Sequence, residues 1–298
     1  MTKQLIKTPT CKPFIKWAGG KRGLLLKLTE NLPQDFTKYC EPFVGGGALL
    51  FKILSTYNHI EEILINDSNP DLMLTYRVIQ QDVTKLVNVL TKVQNDYRNK
   101  SEDDRRKYFE AVRAKFNSDA KTFNYSSYSN NHVTRAAFVI FLNKTCFNGL
   151  WRVRKSDGGF NTSFGKYENP LISDKENLEL VSKNLQKVFI KSGDYKECGY
   201  FINSDTLVYL DPPYIPASAT ADFVGYTKAS WGLFDNLGLS EFIRSQHNKG
   251  AKILLSSSAS NHWNNLEFLQ QTEVTAKRNV ACKVESREGV KELILRNY

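Results

Sequence analysis

In residues 40–54, CEPFVGGGALLFKIL, a short apolar run meets three glycines and then a stretch with helical spacing; at 60–67, IEEILIND, a second apolar run follows. Strand, glycine loop, helix and strand in this order are how a doubly wound α/β sheet begins. Gly45, Gly46 and Gly47 allow the backbone to approach a ligand closely and to turn sharply into the helix. Glycine clusters also end strands for steric reasons alone, so the loop by itself names no ligand. The second strand adds to it. It ends in Asn66-Asp67, about twenty residues after the loop, where an acidic side chain can accept hydrogen bonds from a ribose diol. A nucleoside ligand is therefore expected.

Upstream, FIKWAGGKRG at 14–23 sets Lys21 behind two glycines and invites comparison with a phosphate-binding loop. The comparison fails, because that motif needs glycine at position 15, which is Ile15, and Ser or Thr at 22, which is Arg22. A nucleoside without a triphosphate, its carboxylate near Lys21, fits S-adenosylmethionine better than ATP. Further strands are expected at LQKVFIKS (185–192), TLVYL (206–210), AKILLSS (251–257), TEVTAKR (272–278) and GVKELILRN (289–297). No convincing helix separates the last two, so they are read as an antiparallel pair. From about 72 to 142 the spacing is helical, and Ser101 with Asp104 resembles a capping box. The α/β core is thus expected to be split by a mostly helical insertion.

Composition narrows the function. The chain has 298 residues, 41% hydrophobic and 24% charged, enough to bury one large or two smaller cores. Its net charge of +10 favours a polyanionic partner such as nucleic acid, although an acidic membrane surface would attract the same charge. No apolar run approaches the roughly 20 residues of a membrane span, and the first residues lack the apolar core of a signal peptide. A soluble intracellular protein is expected. The cysteines at 11, 40, 146, 198 and 282 show no CxxC spacing and are read as reduced thiols, and no metal site is expected.

The chemistry is concentrated in VYLDPPYIP, 208–216. Asp211 follows a buried-type strand, and two prolines then hold the chain extended with carbonyls that no ladder can absorb. Asp211 and the carbonyl of Pro212 or Pro213 could accept the two N–H groups of an exocyclic amine, with Tyr214 stacked on the ring that carries it. Such acceptors draw the amine nitrogen towards tetrahedral geometry, and the carboxylate stabilises the positive charge that develops during alkylation.

Taken together, KWAGGK (16–21), EPFVGGGAL (41–49), INDSNPDL (65–72), NKTCFNGLWRV (143–153) and DPPYIPASATADFVGY (211–226) resemble the Dam-type DNA adenine-N6 methyltransferases, in the same order and over nearly the whole chain. The resemblance implies a class I methyltransferase (Rossmann-like) fold that uses S-adenosyl-L-methionine, with residues 1–71 and 172–298 catalytic and 72–171 recognising DNA. It implies that Trp17, Lys21, Asp67 and Asp211 contact the cofactor, that Phe43 lies beside its methionine end, and that Asp194 and Tyr195 flank its adenine. Phe147 and Asn148 would intrude into the duplex near a flipped adenine, Leu150 and Arg152 would read base edges, and Lys16 would contact the preceding guanine with Tyr167 nearby. Where the family has NVPFG this chain has NTSFG at 161–165, with Ser163 in place of a proline that helps to recognise thymine. GATC is the expected site, and a related site containing GAT is the alternative.

The residues of the insertion support a DNA partner on their own. Between 135 and 167 stand Arg135, Lys144, Arg152, Arg154, Lys155 and Lys166 against the single acid Asp157, with aromatics interleaved, and phosphate contact is expected of them. WRVRKSDGGFNTSF (151–164) reads as a hairpin turning at Asp157-Gly158-Gly159, and a two-stranded ribbon can enter a major groove. Arg152 could fork onto a guanine, and Arg154 and Lys155 could bind phosphates. A monomeric, cytoplasmic, nucleoid-associated enzyme of prokaryotic or phage-like origin is expected. Two other readings stand beside it: a methyltransferase for RNA or for a protein amide, and a DNA-binding protein with an inactive cofactor fold.

Overall fold

The computed structural model describes residues 10–17, 19–213, 231–258, 263–276 and 290–298. Along the chain run α1 (Leu25–Glu30), β1 (Lys38–Glu41), α2 (Ala48–Thr56), β2 (Glu62–Asp67), α3 (Pro70–Arg98), α4 (Glu102–Asp119), α5 (Asn130–Thr145), α6 (Lys175–Leu185), β3 (Val188–Ser192), β4 (Thr206–Leu210), α7 (Leu233–Asn248), β5 (Lys252–Ser258), β6 (Gln270–Ala276) and β7 (Val290–Arg296). The seven strands form one sheet in the order β3-β2-β1-β4-β5-β7-β6. The first five are parallel, and β7 alone runs antiparallel to both its neighbours. This is the class I methyltransferase fold, and the antiparallel pair expected near the C-terminus is present.

The strands are buried on both faces because their apolar residues serve two cores. Tyr39, Ile63, Ile65, Leu207, Tyr209 and Leu254 enter one core, and their sequence neighbours Cys40, Leu64, Val208, Leu210, Ile253 and Leu255 enter the other. Near-continuous apolar runs of this kind are what a covered parallel sheet requires. The first core is closed by α2, α3, α5 and α6, the second by α7.

Local signals set the helix starts. Asn69 accepts from the Leu72 N–H at 3.1 Å and Pro70 opens α3, where a missing N–H costs nothing. Ser101 accepts from the Asp104 N–H at 3.2 Å at the start of α4, as its spacing predicts. The long α3, broken at Asp82, packs on β2, β3, α5 and α6, so the helical stretch is seated directly on the sheet. Beyond α5 a hairpin forms, with Val153 bridged to Phe160 and Cys146 to Phe164.

Candidate active site and nucleic-acid interface

The parallel arrangement brings three carboxylates to the carboxyl-terminal end of the strands: Glu41 ends β1, Asp67 ends β2 and Asp211 follows β4. Beyond Glu41 the chain turns through the glycine loop into α2. The Val44 N–H donates to the Asn66 carbonyl at 2.9 Å and the Gly45 N–H to Asp67 Oδ2 at 3.0 Å, so the end of β2 holds the loop. Gly45 and Gly47 have φ of 46° and 70°, and a Cβ on Gly47 would stand 2.6 Å from the Tyr76 hydroxyl. Only glycine meets both demands. Trp17 lies against the loop, 3.0 Å from where a Gly45 Cβ would be.

Asp67 accepts a second backbone N–H, that of Asn69, at 2.9 Å on Oδ1. Burial outweighs these donors and pushes its pKa up to about 6. Each oxygen keeps a further lone pair, which suits a hydroxyl ligand. Glu41 is buried against the Tyr39 hydroxyl, which donates to it at 2.7 Å. Burial, with the charges of Asp211 and Asp67 adding to it, raises its pKa well above the usual carboxylate range.

Asp211 sits in a polar knot. The buried Lys21 ammonium lies 2.7 Å from Asp211 Oδ1 and 3.9 Å from Glu292 on β7, and donates to the Gly19 carbonyl at 3.0 Å. Ser256 donates to the same Asp211 oxygen at 3.1 Å, within reach of the Tyr209 hydroxyl at 3.0 Å. Burial raises the Asp211 pKa, and Lys21 and Ser256 oppose that rise. Pro212 is buried and Pro213 exposed. Tyr214 and the rest of the corner lie outside the described residues.

Phe43 packs on Tyr195 at 5.2 Å between ring centroids and edge-on to Trp231 at 5.7 Å, while Tyr195 meets Phe242 edge-on. Asp194 is exposed and accepts from the Lys196 N–H at 2.8 Å. Asp67 closes β2, Phe43 and Gly45 follow β1, Asp194 and Tyr195 follow β3 and Asp211 follows β4, while Trp17 and Lys21 reach this end of the sheet from the N-terminal segment through Gly45 and Asp211. Glu41, Ser256, Trp231 and Glu292 join them there without having been singled out in the sequence. Of these, only Glu41 carried a signal, as a carboxylate directly before the glycine loop.

The hairpin is the second candidate region. The Arg154 N–H donates to the Gly159 carbonyl at 2.8 Å and the Asn161 N–H to that of Arg152 at 2.9 Å, with Gly158 left-handed at the turn. Arg154 forks onto Asp157 at 2.9 and 2.7 Å, tying the turn together, and Lys155 stands exposed beside it. Arg152 is exposed on the hairpin arm. Phe147 is 48% exposed, although its N–H is bound by the Ser163 carbonyl at 2.8 Å. Asn148 next to it takes a left-handed φ of 55°. Leu150 is half-buried, and Lys16 holds its ammonium 5.6 Å above the Tyr167 ring.

One expectation is overturned. Arg135 does not face a phosphate: it is 3% exposed, donates to both oxygens of Asp71, and is caged by Phe116 and Phe123 at 4.2 and 4.7 Å. Its helix turns it inward, where a cation is tolerated only with such a partner. Lys144 is half-buried, and Lys166 pairs with Glu102 at 3.5 Å. The usable positive surface is therefore narrower than the count of basic residues suggests.

A class I sheet with a glycine loop, an Asp-Pro-Pro corner and a basic hairpin defines a methyltransferase equipped for nucleic acid. The chain belongs to the D12 class of N6 adenine-specific DNA methyltransferases, whose family model matches residues 17–280. It is 40% identical to the type II methyltransferase M.MjaIII of Methanocaldococcus jannaschii, over 96% of this chain and 99% of that one. It is 33% identical to the type II methyltransferase M1.LlaDCHI of Lactococcus lactis over 96% and 95% of the two chains, and 28% identical to the DNA adenine methylase of Vibrio cholerae over 95% of each. The enzyme is thus a site-specific, adenine-specific DNA methyltransferase. No helix among the described residues is long and apolar enough to cross a membrane.

Proposed function

We propose that this chain transfers the methyl group of S-adenosyl-L-methionine to N6 of adenine in double-stranded DNA, within GATC, after turning the base out of the duplex. The observation that carries the reading is the Asp211 corner: a half-buried carboxylate, held by Lys21 and Ser256, at the same end of the sheet as the glycine loop and Asp67. When bound, S-adenosylmethionine supplies an electrophilic methyl on a sulfonium. The chain fits it. Asp67 keeps acceptor capacity for the ribose hydroxyls, and Phe43 and Tyr195 offer aromatic faces.

At the corner, Asp211 accepts one N6 hydrogen and the carbonyl of Pro212 or Pro213 the other, which localises the nitrogen lone pair for in-line attack. Asp211 also offsets the charge that develops on N6. Lys21 holds the carboxylate in place, and Tyr214 stacks on the base.

The exposed Phe147 and the strained Asn148 suit insertion into the stack, which offsets part of the few kcal/mol that flipping costs. Arg152 and Leu150 read base edges, Lys16 and Tyr167 face the guanine before the adenine, Ser163 lies near the thymine, and Arg154 and Lys155 lie along the phosphates. On this reading 1–71 with 172–298 form the catalytic part and 72–171 the recognition part. A monomer suffices, since one chain carries both, and it works in the cytoplasm at the nucleoid.

The test is nucleoside analysis of duplex DNA after incubation with isotopically labelled S-adenosylmethionine. Label in N6-methyladenine is expected. Label only in 5-methylcytosine, only in N4-methylcytosine, or only when RNA or protein replaces DNA would overturn the reading.

A further inference from the structure

Between the glycine loop and the hairpin lies a two-residue strap, Lys16-Trp17, that touches both. On one side Trp17 covers Gly45 and Gly46, 3.0 and 3.1 Å from where their Cβ atoms would be. On the other it stacks on Trp151, at 6.0 Å between centroids and 23° between planes. Trp151 is 2% exposed and is locked against Phe160 of the hairpin at 4.7 Å and Phe116 of α4 at 5.7 Å.

The strap's backbone is held by one side chain. Asn143, fully buried in the last turn of α5, accepts the Lys16 N–H at 2.9 Å and donates to the Lys16 carbonyl at 2.7 Å. Its remaining N–H goes to the Gly149 carbonyl at 3.1 Å, in the loop that exposes Phe147. Gly149 in turn has no room for a side chain, because a Cβ would lie 2.6 Å from Lys16 Cδ. Every polar atom of the Asn143 amide is used, and each bond ties the strap or the Phe147 loop.

We infer that Asn143 is a positioning residue that sets the cofactor loop and the DNA-reading loop together, so that cofactor and specific duplex bind with positive coupling. The inference rests on the methyltransferase reading above for which ligand each loop takes. Packed interiors do not deform continuously, so a ligand that fixes Trp17 against the glycine loop also fixes Trp151 and Gly149, and the second ligand meets a loop already in place. The coupling must be reciprocal: each ligand changes the other's affinity by the same factor.

The experiment measures the affinity of the whole chain for S-adenosylhomocysteine without and with a saturating duplex containing GATC, and that for the duplex without and with S-adenosylhomocysteine. Wild type is expected to gain at least about five-fold in both directions, the low end of coupling between sites. Asn143→Asp keeps the size and the acceptor for the Lys16 N–H but removes both donors, and its factor should fall to within about two-fold of unity. Trp151→Phe, which shortens the stack, should also lower the factor and carries the test if Asn143→Asp does not fold.

Asn117→Ala is the control, because Asn117 ties the hairpin to α4 through Phe160 without touching the strap. It should weaken the duplex equally with and without S-adenosylhomocysteine and leave the factor unchanged. The inference is overturned if Asn143→Asp or its substitute Trp151→Phe keeps the wild-type factor, or if Asn117→Ala abolishes it. Wild type binding both ligands with a factor of unity would sink this inference alone. Binding of neither would overturn the methyltransferase reading as well.

Discussion

Asp67 is a carboxylate whose two oxygens already accept backbone N–H groups, yet burial still lifts its pKa to about 6. Its unfolded value is about 3.9, so the folded chain holds the proton more tightly and folding is favoured while the group stays protonated. That contribution is present below about pH 4 and is lost as pH rises to about 6. Asp67→Asn, neutral throughout, should therefore gain stability relative to wild type across this window, as read by urea midpoints. A pH-independent difference would show that folding leaves the Asp67 pKa unshifted. S-Adenosylhomocysteine binding should strengthen as pH rises through about 6 in wild type only, because an ionised carboxylate is the better acceptor for a ribose hydroxyl. Arg135 makes the opposite point about legibility. Its partner Asp71 lies 64 residues away, so its sequence surroundings read as one more basic residue in a DNA-facing insertion. Arg135→Met should lower stability by about 3–5 kcal/mol, the usual cost of leaving a buried charge unpaired. A decrease below about 1 kcal/mol, with salt-sensitive weakening of DNA binding, would return it to the surface.

The elements were legible wherever a local pattern specifies them. The strand-glycine-helix unit at β1 and α2, the cap of α4 and the hairpin turn all rest on residues within a few positions of one another. The left-handed Asn148 and the fork of Arg154 onto Asp157 were not legible, because each depends on how the hairpin closes on itself. That fork changes what Arg154 should do. Arg152 stands exposed on the hairpin arm and can pair with a guanine, an interaction that discriminates by about 1–3 kcal/mol. Arg152→Ala should relax specificity at one outer position of the site. Arg154→Ala should loosen the turn and leave one phosphate without its cation. Affinity should then fall for all sequences alike, and the slope of log affinity against log salt should become shallower by about 0.9. A panel of methylation rates on single-base variants, at two salt concentrations, separates them. If Arg152→Ala slows every duplex by one factor, that arginine binds phosphate and the hairpin does not read bases through it.

Across the whole molecule, sheet order decides where the chemistry lies. Placing β1 between β2 and β4 puts Glu41, Asp67 and Asp211 at one end of the sheet, although Asp211 is far from the other two in the chain. The antiparallel pairing of β6 and β7 was readable because the sequence between them carries no helical spacing, but the insertion of β7 beside β5 was not, since nothing local encodes it. It matters to the site, because it brings Glu292 within 3.9 Å of Lys21. With the glycine loop and the hairpin both packed on Trp17, one molecule should carry out one reaction at one sequence. The most direct test is to expose plasmid DNA to the purified chain with S-adenosylmethionine and map every modified base. N6-methyladenine at GATC on both strands, with no modified cytosine, is the expected result. Methyl groups on cytosine, or on adenines with no shared GAT context, would contradict it.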